Sequence, residues 1–255
     1  MVARIIVGID GSGPSSAGLR WSLKRARADG CSLVLVHIID DEARETDQGE
    51  QSLADALEVA RAAGRDVHVE VARGHPVTGL AEQSHSGDLL VVGSHKTGFV
   101  RGRVLGSRGI LVASLARSSV VVVPEDNLAQ RAGVVVGVAA GSECHAAIIA
   151  GASEAQRLGQ ELSLIHSGPD LPEAVEAGRA LLATAAELAA TTAPGIVIRR
   201  RLSHRGPTDT LLDASRGSAL LVLGAARDRG ERGGMLGSVT HEVLLNLTSP
   251  VMVAR

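Results

Sequence analysis

The sequence predicts an α/β protein built as two tandem, doubly wound domains, each with a five-stranded parallel sheet. Three observations carry that expectation. The chain repeats itself: Ile5-Ile6-Val7-Gly8-Ile9 returns as Val134-Val135-Val136-Gly137-Val138, and the register that carries Gly8 onto Gly137 carries His37 onto His166. After an insertion of two residues it also carries Gly93 onto Gly224 and Gly106-Ser107 onto Gly237-Ser238. Each copy alternates short β-branched runs with longer Ala/Leu-rich periodic stretches, the pattern of βαβ units. Hydrophobic residues make up 45% of the 255 residues and aromatics only 1%, so the cores must be aliphatic, as in parallel strands covered on both faces.

Taken in order, the first copy reads as strands near 4–9, 32–38, 67–72, 89–93 and 120–123, with helices near 15–29, 50–65, 76–84 and 107–116. Gly30 and Gly64 stand where helices should stop, and Pro76 stands at a helix start. The second copy repeats the strands near 133–138, 161–166, 197–202, 220–224 and 251–253, with Pro172 and Pro207 at helix starts. Domains are expected at 1–124 and 133–255, joined by the polar linker 125–132. The closing strands, 120–123 and 251–253, are too apolar for bare edges and are expected side by side across a pseudo-twofold.

Composition narrows the function. With 26 basic against 28 acidic residues and a net charge of −2, the chain has no field to steer nucleic acid or an anionic membrane. Trp21 and Phe99 are the only aromatics, which removes base-stacking platforms. Two cysteines, Cys31 and Cys144, make neither a disulfide framework nor a metal knuckle and read as small buried hydrophobes. No apolar run approaches the roughly 20 residues that span a bilayer, and no signal peptide is read, so a cytoplasmic protein is expected.

In an open parallel sheet, ligands bind beyond the carboxyl ends of the strands where strand order reverses. There the first copy carries Gly8-Ile9-Asp10-Gly11-Ser12-Gly13, His37-Ile38, and Gly93-Ser94-His95-Lys96-Thr97-Gly98 leading to Gly106-Ser107 at a helix start. Glycines admit backbone N–H groups to an anion, and a helix N-terminus adds donors and partial positive charge. The same glycines could simply make tight βα turns, and Ser107 could simply cap its helix. Neither G-x-x-x-x-G-K-[ST] nor G-x-G-x-x-G is present.

Val7-Gly8-Ile9-Asp10-Gly11-Ser12, His37 closing the second strand, Asp88-Leu89-Leu90-Val91-Val92-Gly93, the spaced Gly93 and Gly106-Ser107, and the closing Pro250-Val251-Met252-Val253 together resemble the universal stress protein family, twice over and across nearly the whole chain. The resemblance implies an adenine nucleotide alpha hydrolase-like fold and pairing of the two domains as a pseudo-dimer. In one subclass it implies ATP, with magnesium, as ligand. Ile9 and Asp10 would then serve the nucleoside end, the backbone near Ile38 the adenine, and Gly93, Gly106 and Ser107 the phosphates. That subclass carries G-x2-G-x9-G-[ST]; here Lys96 replaces the second glycine, and Arg227 replaces it in the second copy, between Gly224 and Gly237-Ser238. A long side chain could block the phosphate path, or its cation could complement the phosphates.

The second copy departs further, since Ala139 falls where Asp10 stands and Ala219 where Asp88 stands. Nucleotide is therefore expected mainly in the first domain, with a weaker second site at Gly224, Arg227, Gly237 and Ser238. Asp88 is expected to close a turn rather than touch ligand. His37 and His166 read as packing residues. His241-Glu242 lacks the second histidine of H-E-x-x-H, and adjacent Cys144-His145 make a poor metal pair. No catalytic residues or metal are expected, and any ATP hydrolysis would be slow and incidental. Two functions remain open: a stress-response regulator that binds adenine nucleotide, and a nucleotide-free module for an unidentified protein partner. Further association of two chains is left open.

Overall fold

The computed structural model describes residues 2–41, 48–64, 67–94, 107–125, 130–141, 143–225 and 236–255. The chain divides into two compact units, Met1–Asp126 and Asn127–Arg255. Unit 1 runs β1 (Arg4–Gly8), α1 (Gly13–Asp29), β2 (Ser32–Ile39), α2 (Gln48–Ala62), β3 (Val67–Arg73), α3 (Pro76–Gln83), β4 (Leu89–Ser94), α4 (Ser107–Leu115), β5 (Ser119–Pro124). Unit 2 runs β6 (Val134–Gly137), α5 (Glu143–Leu158), β7 (Leu162–Ser167), α6 (Pro172–Thr192), β8 (Ile198–Ser203), α7 (Pro207–Ser215), β9 (Leu220–Gly224), α8 (Ser238–Leu245), β10 (Val251–Ala254).

Within unit 1 the strand order is β3-β2-β1-β4-β5, and within unit 2 it is β8-β7-β6-β9-β10. All of these pairs are parallel. The expected α/β class with two five-stranded parallel sheets is what the chain adopts. Central strands lack polar alternation because helices cover both faces: Ile5, Ile6, Val7, Leu89, Leu90 and Val91 are all buried. The outer strand β3 alternates instead, and exposes Val69 and Val71.

Helix ends follow local chemistry. Ser12 caps α1 by accepting the Ser15 N–H at 3.2 Å, so the helix opens at Gly13, two residues earlier than the apolar periodicity suggests. Gly30 (φ 67°) closes it in the left-handed region, which glycine enters without a Cβ penalty. The strand expected at 161–166 forms as Leu162–Ser167 and that at 197–202 as Ile198–Ser203, each shifted by one residue. Residues 126–129 of the expected linker lie outside the described residues. Among the described residues, no helix is long and apolar enough to cross a membrane.

Candidate functional site

Strand order reverses between β1 and β4 in unit 1 and between β6 and β9 in unit 2, which puts a crevice at the carboxyl ends of those strands. Asp10 leaves β1 at that crevice with its side chain exposed. Its Oδ1 accepts the Ser12 N–H at 3.0 Å and the Ser12 hydroxyl at 2.6 Å. The carboxylate is thus held by an Asx-type turn, and Ser12 relays that hold to the start of α1. Ile9 is engaged at both backbone ends. Its N–H donates to Val36 O at 2.8 Å, and its carbonyl accepts from His37 Nδ1 at 2.7 Å. A carbonyl only accepts, so Nδ1 carries the proton. The histidine expected to pack is therefore also a clamp between the end of β2 and the loop after β1. Ile38 is buried, and a Cβ on Gly79 would come within 3.2 Å of its Cδ1.

Gly93, the penultimate residue of β4, lies against the first turn of α1: a Cβ there would stand 2.6 Å from Ser15 N. Gly18 brings the next turn of α1 to the same place, its Cβ position 3.6 Å from Gly93 N. Close helix–strand approach alone therefore requires glycine at 93. Lys96 and Gly106 lie outside the described residues, as does Arg227, and Ser107 is placed only as the first residue of α4. One residue that sequence reasoning missed is Glu125, which follows β5. Its carboxylate lies on Gly13, where a Cβ would come within 2.7 Å of its Cδ, so a negative charge already sits at the N-terminus of α1. The glycine at 13 was the available signal, but it reads equally as a flexible turn.

Unit 2 builds the same crevice with other groups. His166 Nδ1 repeats the clamp on Val138 O at 2.8 Å. In place of Asp10 stands Ala139, whose N–H donates to Cys144 Sγ at 3.3 Å. That sulfur is buried, and burial pushes the Cys144 thiol up against the opposing pull of the Ala139 N–H. Where Ile38 stands in unit 1, unit 2 has Ser167, whose hydroxyl donates to Arg205 O. Gly224 ends β9 with its carbonyl accepting from Thr240 Oγ1 at 3.2 Å. Gly237 occupies the cap position of α8, and Ser238 opens that helix with its side chain exposed. The unit 1 counterpart of Thr240 is Gly109, which has no side chain to reach the Gly93 carbonyl; a Cβ there would lie 3.8 Å from it.

Asp88 closes a turn by accepting the His85 N–H at 3.0 Å. It also pairs with Arg4, at 3.2 Å from Nε to Oδ1 and 2.8 Å from Nη2 to Oδ2, a partner no local pattern discloses. Burial works to raise its carboxyl, but the Arg4 hydrogen bond, the His85 N–H and the neighbouring positive charge together hold it below the usual aspartate range. Cys31 is half-buried. Among the described residues, no group of three or more His, Cys, Asp or Glu side chains could hold a metal ion.

Comparison with known proteins agrees with this architecture. The family model described as the universal stress protein family matches residues 1–124 and again 133–255. A universal stress protein of Mycolicibacterium smegmatis is 28% identical over 98% of this chain and 96% of its own length. One from Mycobacterium tuberculosis strain H37Rv is 30% identical with the same coverage. The solved universal stress protein of Archaeoglobus fulgidus DSM 4304 shares the fold over 100% of this chain and 99% of its own, with a TM-score of 0.76 at 18% identity. A further Archaeoglobus fulgidus universal stress protein, solved in complex with dAMP, matches 49% of this chain and 99% of its own at 21% identity and a TM-score of 0.42. With two matches that together span nearly all of its residues, each on a unit with the reversed parallel sheet described above, the chain belongs to the universal stress protein family.

Proposed function

We propose that this chain is a cytoplasmic stress-response regulator that binds ATP or a related adenine nucleotide in unit 1, at the carboxyl ends of β1, β2 and β4. The observation that supports this reading is the Asp10 carboxylate, exposed and oriented by Ser12 at the point where strand order reverses. An acceptor so placed suits ribose hydroxyls. The end of β2 near Ile38 would face the adenine, and the loop from Gly93 to Gly106 and Ser107 would hold the phosphates. Lys96 would add a point charge, and magnesium would arrive as the counter-ion of ATP. Any hydrolysis of the bound nucleotide would be slow and incidental.

A second reading, a nucleotide-free module for a protein partner, is favoured by the first turn of α1. There Ser12 and Glu125 already supply the acceptor and the negative charge that a bound anion would bring.

Calorimetric titration with ATP at low and high salt, on wild type and Lys96→Gly, separates the readings. If the ammonium assists, wild type binds and the variant binds several-fold more weakly, a difference that fades with salt; one partly exposed charge contact is worth ~1 kcal/mol. If Lys96 obstructs, the variant binds more tightly. Absence of binding by both proteins would leave the nucleotide-free module.

A further inference from the structure

The outer strand of unit 2 reads Ile198-Arg199-Arg200-Arg201-Leu202-Ser203. Its counterpart β3 carries His68, Val69 and Glu70 at the three arginine positions, so the fold does not require arginine at those positions. In a parallel pair, one residue turns both its N–H and its C=O toward the neighbouring strand, and the next turns both away. Val197 O accepts the Leu162 N–H at 2.8 Å and Ser203 O accepts the Gly168 N–H at 3.0 Å, which assigns the odd-numbered residues to β7. Ile198, Arg200 and Leu202 therefore present their main-chain groups at the outer edge, where no strand pairs among the described residues.

Side chains alternate across the sheet, so Arg199 and Arg201 share one face. Arg199 Nε meets Glu161 Oε2 at 2.8 Å. Asp213, at the end of α7, meets Arg205 Nη1 at 2.8 Å and Arg216 Nη2 at 3.2 Å. Its carboxyl lies below the usual aspartate range, first through the Arg205 hydrogen bond and, against slight desolvation, through the charges of Arg205, Arg216 and Arg201. Arg199 thus pairs with one carboxylate, Arg205 and Arg216 share another, and Arg201 adds a positive charge towards the latter, on a chain whose net charge is −2. Such an edge repels a second copy of itself, the usual protection of an outer strand. The same row is complementary to acidic residues at every second position of an extended chain, where side chains of one face recur about every 7 Å.

We propose that the outer edge of β8 docks an extended acidic segment of a protein partner. The main chain of the segment adds to Ile198, Arg200 and Leu202, and its alternate carboxylates meet Arg199 and Arg201. Nucleic acid fits less well, because strand addition needs a peptide main chain and the chain is only 1% aromatic.

The test is fluorescence anisotropy of a labelled peptide alternating glutamate and threonine, titrated with the full chain at low and high salt. Binding is expected, with about tenfold or greater weakening in Arg199→Glu/Arg201→Glu and loss when alternate peptide bonds of the probe are N-methylated. Arg179→Glu, on an exposed helical arginine paired with Glu176, should leave it unchanged. Thermal melts check that each variant folds, and the N-methylated probe tests the proposal on wild type alone. No binding at low salt, unchanged binding by the reversed-charge variant, equal binding of the N-methylated probe, or equal competition by duplex DNA would each overturn the proposal.

Discussion

Asp88 stands at the foot of β4 with its side chain only 4% exposed, and Arg4 is what makes that placement tolerable. A charged group taken from water needs hydrogen-bonded compensation, and removing one partner leaves the desolvation uncompensated. Unit 2 changes both members of the pair: Gly133 falls at the Arg4 position and Ala219 at the Asp88 position. There the Gly133 N–H donates to Gln160 Oε1 at 2.7 Å. Arg4→Ala is expected to cost about 1.5–3 kcal/mol at neutral pH, read from urea unfolding. Because folding lowers the Asp88 carboxyl, its contribution is present above the ordinary aspartate range and is lost as pH falls through the lowered value. The gap between wild type and Arg4→Ala should therefore narrow on acidification, and a gap independent of pH would contradict the assignment. Sequence alone showed Asp88 as a turn residue but hid Arg4, which lies 84 positions away. It likewise offered Asp10 as an acceptor but hid the engagement of that acceptor by Ser12.

Elements were legible where one physical cause dominates. Aliphatic runs such as Ile5-Ile6-Val7 and Leu89-Leu90-Val91-Val92 read as strands because burial on both faces leaves no room for polar alternation. Gly30 marked the end of α1 because few other residues enter the left-handed region cheaply. Glycine roles were not legible, since one residue type answers several demands. Gly93 looks like a phosphate-loop glycine, yet the approach of α1 to β4 already requires it. Gly109 poses the opposite case: its counterpart Thr240 ties the start of α8 to the Gly224 carbonyl. In Gly109→Thr, the new Cβ would meet Val122 Cγ1 at an ordinary 3.4 Å. Replacing a helical glycine should hold or raise stability by a few tenths of a kcal/mol. If nucleotide phosphates occupy the space between the end of β4 and the start of α4, this variant should melt no lower than wild type yet bind ATP more weakly. Unchanged affinity in a stable variant would place the phosphates elsewhere.

At the scale of the whole molecule, duplication preserved the sheet and the histidine clamp while the crevice chemistry diverged. His37 and His166 hold equivalent carbonyls at 2.7 and 2.8 Å, so the clamp serves the fold in both units whatever either unit binds. Asp10 against Ala139, Ile38 against Ser167, and Gly109 against Thr240 are differences near the carboxyl ends of the strands. In unit 2 a buried sulfur accepts the Ala139 N–H, which closes that turn without a carboxylate. A ligand hydroxyl buried there would lack its acceptor, at a cost of about 1–3 kcal/mol, or roughly 5- to 150-fold in affinity. Calorimetry on the intact chain should therefore find close to one tight adenine nucleotide per molecule. Asp10→Ala should weaken that site by about tenfold, whereas Ser238→Ala should leave it unchanged. Ala139→Asp alone should not create a second tight site, because Cys144 and Thr240 still occupy the surrounding positions. Two equal sites in wild type, or equal losses from Asp10→Ala and Ser238→Ala, would show that the divergence of the two crevices does not govern binding.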